Sequence, residues 1–291
     1  MASKPAVACG RPIQYHMKPA AVVVPLHRLP LTPDETFSLA RLRKVLGKHP
    51  TYFAVPAGLH IPPDFLAGES VSRFPDRFFT YPHGYNRLLM TRRFFRAFDN
   101  FAHLLIYQLD CLVFRDELLA WCARDFDYVG SPWYENYIYD YQHSEKWWVG
   151  NGGFSLRKTA SALRILATRI RRGSHFPIPP ASRPPLSPAR WLLSNIRNRT
   201  RQLLELWTVE DELINYADSE DRFWALDAGR FSDAYKIPPA VEAMRFGIEQ
   251  HPRECVRLAG GHAPFGCHAW SKYDRAFILN LIAASDSQAP S

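Results

Sequence analysis

The apolar pattern of the chain changes period several times, and each change marks an element. Ala21-Val22-Val23-Val24 is a short, largely β-branched run stopped by Pro25, the signature of a buried strand. A helical period follows. Thr32 suits the N-cap, Pro33 the first helical position, and Glu35 completes a capping box. Leu39, Leu42, Val45 and Leu46 line one face as far as Gly47, and Thr51 to Val55 is a second strand closed by Pro56. This β-α-β opening predicts an α/β protein with a parallel sheet. Further along, the spacing predicts a helix over 85–98 and a central strand over 103–109 that ends at Asp110. A helix over 116–123, a strand over 126–129 and a tight turn at Gly150-Asn151-Gly152-Gly153 leading into Phe154 come next. Helices are predicted over 158–171, 190–206, 209–224 and 273–283.

The 291 residues include 24 prolines, and six of these fall between Ser174 and Pro188, where neither a helix nor a central strand can form. The formal charge is +8. From Arg164 to Glu205 there are nine arginines, no lysine and the single acid Glu205, so this segment carries the excess and the rest of the chain is near neutral. Residues 172–190 are accordingly an inserted Pro/Arg-rich loop. Residues 1–19 are a loose leader, 20–283 a single domain, and 284–291 a disordered tail. No apolar run approaches the ~20 residues of a membrane span. Residues before Ala20 lack an apolar signal core, and the five cysteines show no paired metal spacing. A cytoplasmic protein with free thiols is expected. Zinc, RNP and helix-turn-helix signatures are missing, so nucleic acid is not an expected partner.

Four constellations could carry chemistry. Asp110 ends the central strand, at the carboxyl edge where α/β sheets bind ligands; a plain strand-end turn is the alternative. Glu220-Asp221 follows Ser219 at a helix start. These acids could cap the helix, or one could serve as a general base. Glu210-Asp211 is a rival pair of the same composition, and the residues alone do not choose between them. The glycines at 150–153 allow positive φ or close backbone approach to a ligand, or simply make a turn. His262, Cys267 and His268 lie in one late loop; with no Cys-x-x-Cys, one histidine joining Asp110 on a metal is more economical than a zinc site.

Taken in order, these features resemble the GT-A fold of nucleotide-sugar glycosyltransferases. They are particularly similar to a bacterial family of glycosyltransferase-like domains of unknown function that carries Tyr-Gln-x-Asp, Gly-Asn-Gly-Gly-x-Ser-Leu-Arg, Glu-Asp-x-Phe-Trp/Phe and Pro-Phe-Gly-x-His. The matching stretches are Tyr107 to Asp110, Gly150 to Arg157, Glu220 to Trp224 and Pro264 to His268. The likeness covers roughly residues 20 to 280. It implies a mixed, mostly parallel central sheet flanked by helices. The implied activity is transfer of a sugar from a nucleotide-diphospho-sugar, a UDP-sugar foremost, to a hydroxyl of a glycan or lipid-linked acceptor in polysaccharide biosynthesis.

The resemblance also implies roles for single residues. Asp110 and His268, with His262 second, would hold Mn²⁺ or Mg²⁺ on the donor diphosphate, and Gln108 would bond the ribose or sugar. Where such enzymes usually carry Asp-x-Asp, this chain has Gln108-Leu109-Asp110, which retains only the last acid. Val24 and Pro25 would line the nucleobase pocket, Arg92 would contact the diphosphate, and Asn151, Gly152 and Gly153 would lie against the donor sugar. Asp221 would be the catalytic base, with Glu220 as its substitute. Trp133, Trp147 and Trp148 could stack on an acceptor sugar or pack in the core. The arginine segment 164–205 would meet an anionic acceptor or the anionic surface of the inner membrane. The missing first acid also suits a non-catalytic GT-A-like module that binds sugar or nucleotide.

Overall fold

The protein is described from a computed structural model, which covers residues 17–79, 84–134, 147–171, 206–214, 216 and 218–287, with isolated positions at 193, 196 and 200. Strand β1 (Lys18–Pro25) is apolar on both faces and buried from Ala20 to Val24, as a central parallel strand must be. It begins at Lys18, so the expected leader is two residues too long. Helix α1 (Pro33–Leu46) carries the expected capping box: Thr32 Oγ1 accepts from Glu35 N, and Glu35 reaches back to Thr32 N at 2.7 Å. Such a cap is worth about 1 kcal/mol. Strands β2 (Thr51–Pro56) and β3 (Ser70–Phe74) extend the sheet outward on one side of β1.

The chain then returns through α2 (Gly84–Leu88) and α3 (Arg92–Arg96) to β4 (Phe101–Tyr107) on the other side of β1. One helix over 85–98 is expected here, and Thr91 explains the two. Its hydroxyl donates to Leu88 O at 2.7 Å and accepts from Phe94 N, so one side chain closes α2 and caps α3. The chain continues through β5 (Leu112–Val113), α4 (Leu118–Cys122), β6 (Tyr128–Gly130), β7 (Pro132–Tyr134), β8 (Trp147–Val149) and β9 (Phe154–Lys158). The main sheet has the order β3-β2-β1-β4-β9-β6, parallel through β4 and antiparallel on either side of β9. It is the mixed, mostly parallel sheet that was expected.

Helix α5 (Thr159–Ala167) follows, shorter than predicted. The Pro/Arg-rich loop 172–190 and the helix expected over 190–206 lie outside the described residues, apart from single positions. In place of one helix over 209–224 there are α6 (Val209–Leu213) and α7 (Glu220–Arg222), the second continuing as a π-turn over Phe223–Asp227. Asp218 Oδ1 accepts from Ser219 N at 2.8 Å, a local bond that restarts the backbone at the new N-cap. Helix α8 (Ala240–Phe246) leads to β10 (Gly247–Ile248). Helix α9 (Pro252–Leu258) leads to β11 (Gly266–Cys267), and α10 (Arg275–Ser287) closes the chain. The expected disordered tail is therefore helical to Ser287, and Asp286 receives Arg41 and Lys44 from α1 at 2.6 and 2.7 Å. Residues 288–291 lie outside the description.

The large core packs β1, β2, β4 and β9 against α1, α3 and α5, with Phe94, Phe95, Phe98 and Trp224 among its buried rings. A smaller core under the sheet β10-β11-β5 joins Leu112, Met244, Ile248, Trp270 and Ile278. Cys111, Cys122, Cys255 and Cys267 are free thiols, as expected; Cys9 is outside the described residues. Among the described residues no helix is long and apolar enough to cross a membrane.

Candidate functional site

Strands β1, β2 and β3 succeed one another outward, whereas β4 lies on the opposite flank of β1. The carboxyl ends of β1 and β4 therefore border the point where the winding reverses, the usual ligand crevice of an open α/β sheet. A cavity of about 430 Å³ opens there, a size suited to a small-molecule ligand. Pro25 ends β1 and Arg28 lies in the loop after it, Phe79 and Tyr85 come from the approach to β4, and Gln108 and Asp110 from the turn after β4. Arg28 is held along the rim by Glu35, at 2.9 and 3.0 Å. Val24 is fully buried behind Pro25 and takes no part in the lining.

Strand β4 stops at Tyr107, two residues short of the predicted end. Gln108 N donates to Gly153 O and Cys111 N to Gln108 O, which turns Gln108-Leu109-Asp110 out of the sheet into the crevice. The Asp110 side chain is 49% exposed, but its Oδ1 is buried without a well-aligned hydrogen bond. His268 Nε2 stands 3.3 Å from that oxygen and 3.4 Å from Gln108 Oε1. On the other side of the imidazole, Nδ1 faces Glu249 Oε1 at 3.1 Å. Burial alone would lower the pKa of His268. Asp110 and Glu249 outweigh it and push the value up to about 10. Burial likewise opposes ionisation of Asp110, and the histidine offsets it, so the carboxyl lies below its usual range.

Asn151 braces this arrangement. It adopts φ +64°, a left-handed conformation that Asn tolerates better than most residues. Its Oδ1 accepts from Gly153 N and Phe154 N at 2.9 and 3.0 Å, and its Nδ2 donates to Glu249 Oε2 at 2.8 Å. These bonds, and its 4% exposure, direct its amide to the protein rather than to the crevice. The two glycines beside it answer a need for space, since neither has positive φ. A Cβ on Gly153 would lie 2.3 Å from His268 Nε2 and 2.8 Å from Gln108 Oε1. One on Gly152 would lie 2.0 Å from Glu220 Oε1. The close approach that sequence reasoning assigned to a ligand is made here by the protein's own site residues.

The Glu-Asp pair divides. Glu220 is 2% exposed and meets Arg157 through two bonds, Nη1 to Oε2 at 2.6 Å and Nη2 to Oε1 at 2.9 Å. As a substitute base it is misplaced: it is buried and bound to a guanidinium. Asp221 is half-buried, and its Oδ2 accepts from Gly152 N at 3.1 Å. It thus stands at one end of the glycine pair, with His268 and Gln108 at the other. The rival pair is structural, because Asp211 caps Thr208 through its backbone N–H and hydroxyl, and Glu210 receives Arg92 N and Nε at 2.9 and 2.5 Å. Arg92 is accordingly engaged by α6 and does not line the cavity. His262 is exposed in the loop after α9. Trp133 is core, 4% exposed and packed under Gly150, whereas Trp147 and Trp148 are half-buried.

Among the described residues, one group of metal-ligating type gathers within 4.8 Å: Asp110, Cys111 and His268. Cys111 is a poor ligand. Burial raises its pKa well above normal, and its Sγ donates to the backbone at Gly153 O, 3.2 Å away. Asp110 and His268 remain, with the Gln108 carbonyl beside them. They could take a hard divalent ion in place of the proton they share: Asp110 Oδ1 has only the poorly aligned His268 Nε2 at 3.3 Å, and Glu249 fixes the far nitrogen of the imidazole, as carboxylates behind metal-bound histidines do. Glu249 itself escaped sequence reasoning. It follows a two-residue strand that offers no periodicity, and only the pairing of β10 with β11 brings it to His268.

No curated protein matches the chain at a significant level. A solved structure, that of the apo-form glycosyltransferase GlyE in Streptococcus pneumoniae TIGR4, aligns with 94% of this chain at 12% identity and a TM-score of 0.41, and the aligned part spans 65% of that chain. The family model that matches takes in residues 69–268, more than half of the chain and every site residue from Tyr85 to His268. The chain therefore belongs to the family described as Protein of unknown function (DUF5672).

Proposed function

We propose that the protein is a glycosyltransferase of GT-A type, which moves a sugar from a nucleotide-diphospho-sugar to a hydroxyl of a glycan or lipid-linked acceptor. One observation carries the reading. At the carboxyl edge of the switch-point crevice, the Gly152-Gly153 pair holds Asp221 on one side and the Asp110–His268–Glu249 cluster on the other. A half-exposed carboxylate and a cation-binding cluster, spaced by backbone without side chains, suit a substitution in which a base meets one end of the substrate and positive charge meets the other.

In this reading the donor, a UDP-sugar foremost, places its nucleoside in the cavity between Pro25 and Tyr85, and Gln108 orients the ribose or sugar. Asp110 and His268 would hold Mn²⁺ or Mg²⁺, which supplies positive charge for the diphosphate leaving group. Glu249 keeps the histidine's orientation through Nδ1. Asp221 accepts the proton of the attacking hydroxyl, and its bond from Gly152 N keeps its carboxylate fixed. Gly153 must lack a side chain, or His268 and Gln108 could not share one site. The arginine segment 164–205 faces an anionic acceptor or an anionic membrane surface, and deletion of 173–189 is expected to weaken acceptor use or vesicle binding and spare donor binding.

The test is turnover of a panel of nucleotide sugars with Mn²⁺, with Asp110→Ala and Asp221→Ala as controls. Transfer or donor hydrolysis that both variants abolish supports the reading; activity unchanged in both overturns the site. Gln108, standing where a first acid is usual, favours a second reading, a module that binds sugar nucleotides without turnover. It would show a thermal shift with donor and no product.

A further inference from the structure

A second cavity, of about 670 Å³, is walled by segments that adjoin the Asp110–His268 cluster along the chain. Tyr134, Gln250, His251, Arg253, Lys272 and Asp274 are among its walls. Each wall continues a segment that builds the candidate site. Gln250 and His251 follow Glu249, which holds His268. Lys272 and Asp274 follow Trp270, whose backbone N–H donates to Asp110 O at 3.1 Å. Tyr134 ends β7, the partner of β8, and β8 runs into the Gly150–Gly153 turn.

The chemistry of the lining selects among ligands. Tyr134 and His251 are its aromatic walls, their rings 4.9 Å apart, and Trp147, outside the lining, backs both at 4.9 and 6.1 Å. Around these walls stand an amide, two cations and the two acids Glu254 and Asp274, with Arg253 clamped to Asp274 at 2.5 Å. Arg253 is paired with Asp274 and Glu254 with Arg257, so these charges are largely spent within the protein, which disfavours a phosphate or nucleotide, and the polar rim disfavours a lipid tail. A pyranose ring has an apolar C–H face for an aromatic surface and a rim of hydroxyls for planar, paired polar groups. His251 and Asp274, at φ +49° and +46°, are both left-handed, and such conformations in non-glycine residues persist where the surroundings enforce them, often at ligand sites.

We infer that this cavity is a carbohydrate-binding subsite that seats a sugar ring of the acceptor beside Asp110 and His268. The inference rests on the glycosyltransferase reading for the word acceptor, and on the cavity alone for the sugar. The test is calorimetry and saturation-transfer NMR on the full chain with maltohexaose, cellohexaose, chitohexaose and a hyaluronan hexamer. Saturable binding of at least one, weakened about tenfold or more by Tyr134→Ala and by Gln250→Ala, is expected. Circular dichroism verifies that each variant folds, and Gln250, at a half-buried position, gives a second route should Tyr134→Ala fail to fold. The thermal shift with UDP-sugar and Mn²⁺ should be unchanged in both variants. Saturation of none of the four, or equal affinity in the variants, overturns the subsite. Glycan binding that obeys the variants in a protein with no donor shift retains the subsite and overturns the glycosyltransferase reading.

Discussion

Arg157 and Glu220 form a two-pronged ion pair in which neither side chain is more than 3% exposed. Burial raises the pKa of Glu220 more than Arg157 lowers it, so the two-pronged contact with the guanidinium is what favours the charged form. The pair ties β9 to α7 and so sets where Asp221 stands.

Removal of one member leaves a charge buried and unmatched. Glu220→Gln and Arg157→Leu should each cost about 3–5 kcal/mol, read as a lower urea midpoint with an unchanged slope. A Glu220→Gln protein as stable as the parent would show that the pair is solvated in solution. Gly152→Ala should be similarly damaging, because its Cβ would fall 2.0 Å from Glu220 Oε1.

Asp221→Asn keeps an oxygen for Gly152 N and removes the base. Stability and donor binding should remain, and transfer should fall about 10²–10⁴-fold. Retained transfer would assign the proton to another group.

Glu249→Gln should weaken Mn²⁺ about 10–100-fold, because Nδ1 of His268 loses its carboxylate. Titration of Mn²⁺, followed by thermal shift with a nucleotide sugar, measures it. An unaltered midpoint would remove Glu249 from the metal's support.

His103 gives a pH dependence remote from the site. It is buried on β4, and burial pushes its pKa below the ordinary 6.5, more strongly than the Pro19 carbonyl raises it. Between those two values the unfolded chain binds the extra proton. Its contribution to stability is therefore full above pH ~6.5 and falls as the solution is acidified towards the folded value. Urea midpoints from about pH 7.5 to 5.5 should fall less in His103→Gln than in the parent. Identical slopes would show that this histidine protonates alike in both states.

Much of the frame was legible in the sequence. The run Ala21–Val24, the capping box at Thr32 and the prolines at 25 and 56 mark β1, α1 and β2 because local rules act alone there. The breaks at Thr91 and Ser219 were not legible, since apolar spacing continues across them and the restart depends on single side-chain bonds. The partners that set the two Glu-Asp pairs apart lie far along the chain: Arg92 for Glu210 and Arg157 for Glu220. Glu249 shows the same limit. A two-residue strand has no period to read, and the acid gains meaning only from the histidine that β11 brings beside it.

The Asn151-Gly152 step has a further consequence, in chemical durability. Asn-Gly is the dipeptide in which the backbone nitrogen most readily attacks the preceding side-chain amide, closing a succinimide and losing ammonia. Here that nitrogen donates to Asp221, and the amide is locked by Glu249 on one side and two backbone N–H groups on the other. The native fold thus shields a bond that ages fast in an open chain. Each excursion into the unfolded state exposes it, and the resulting aspartate or isoaspartate would return as a negative charge against Glu249.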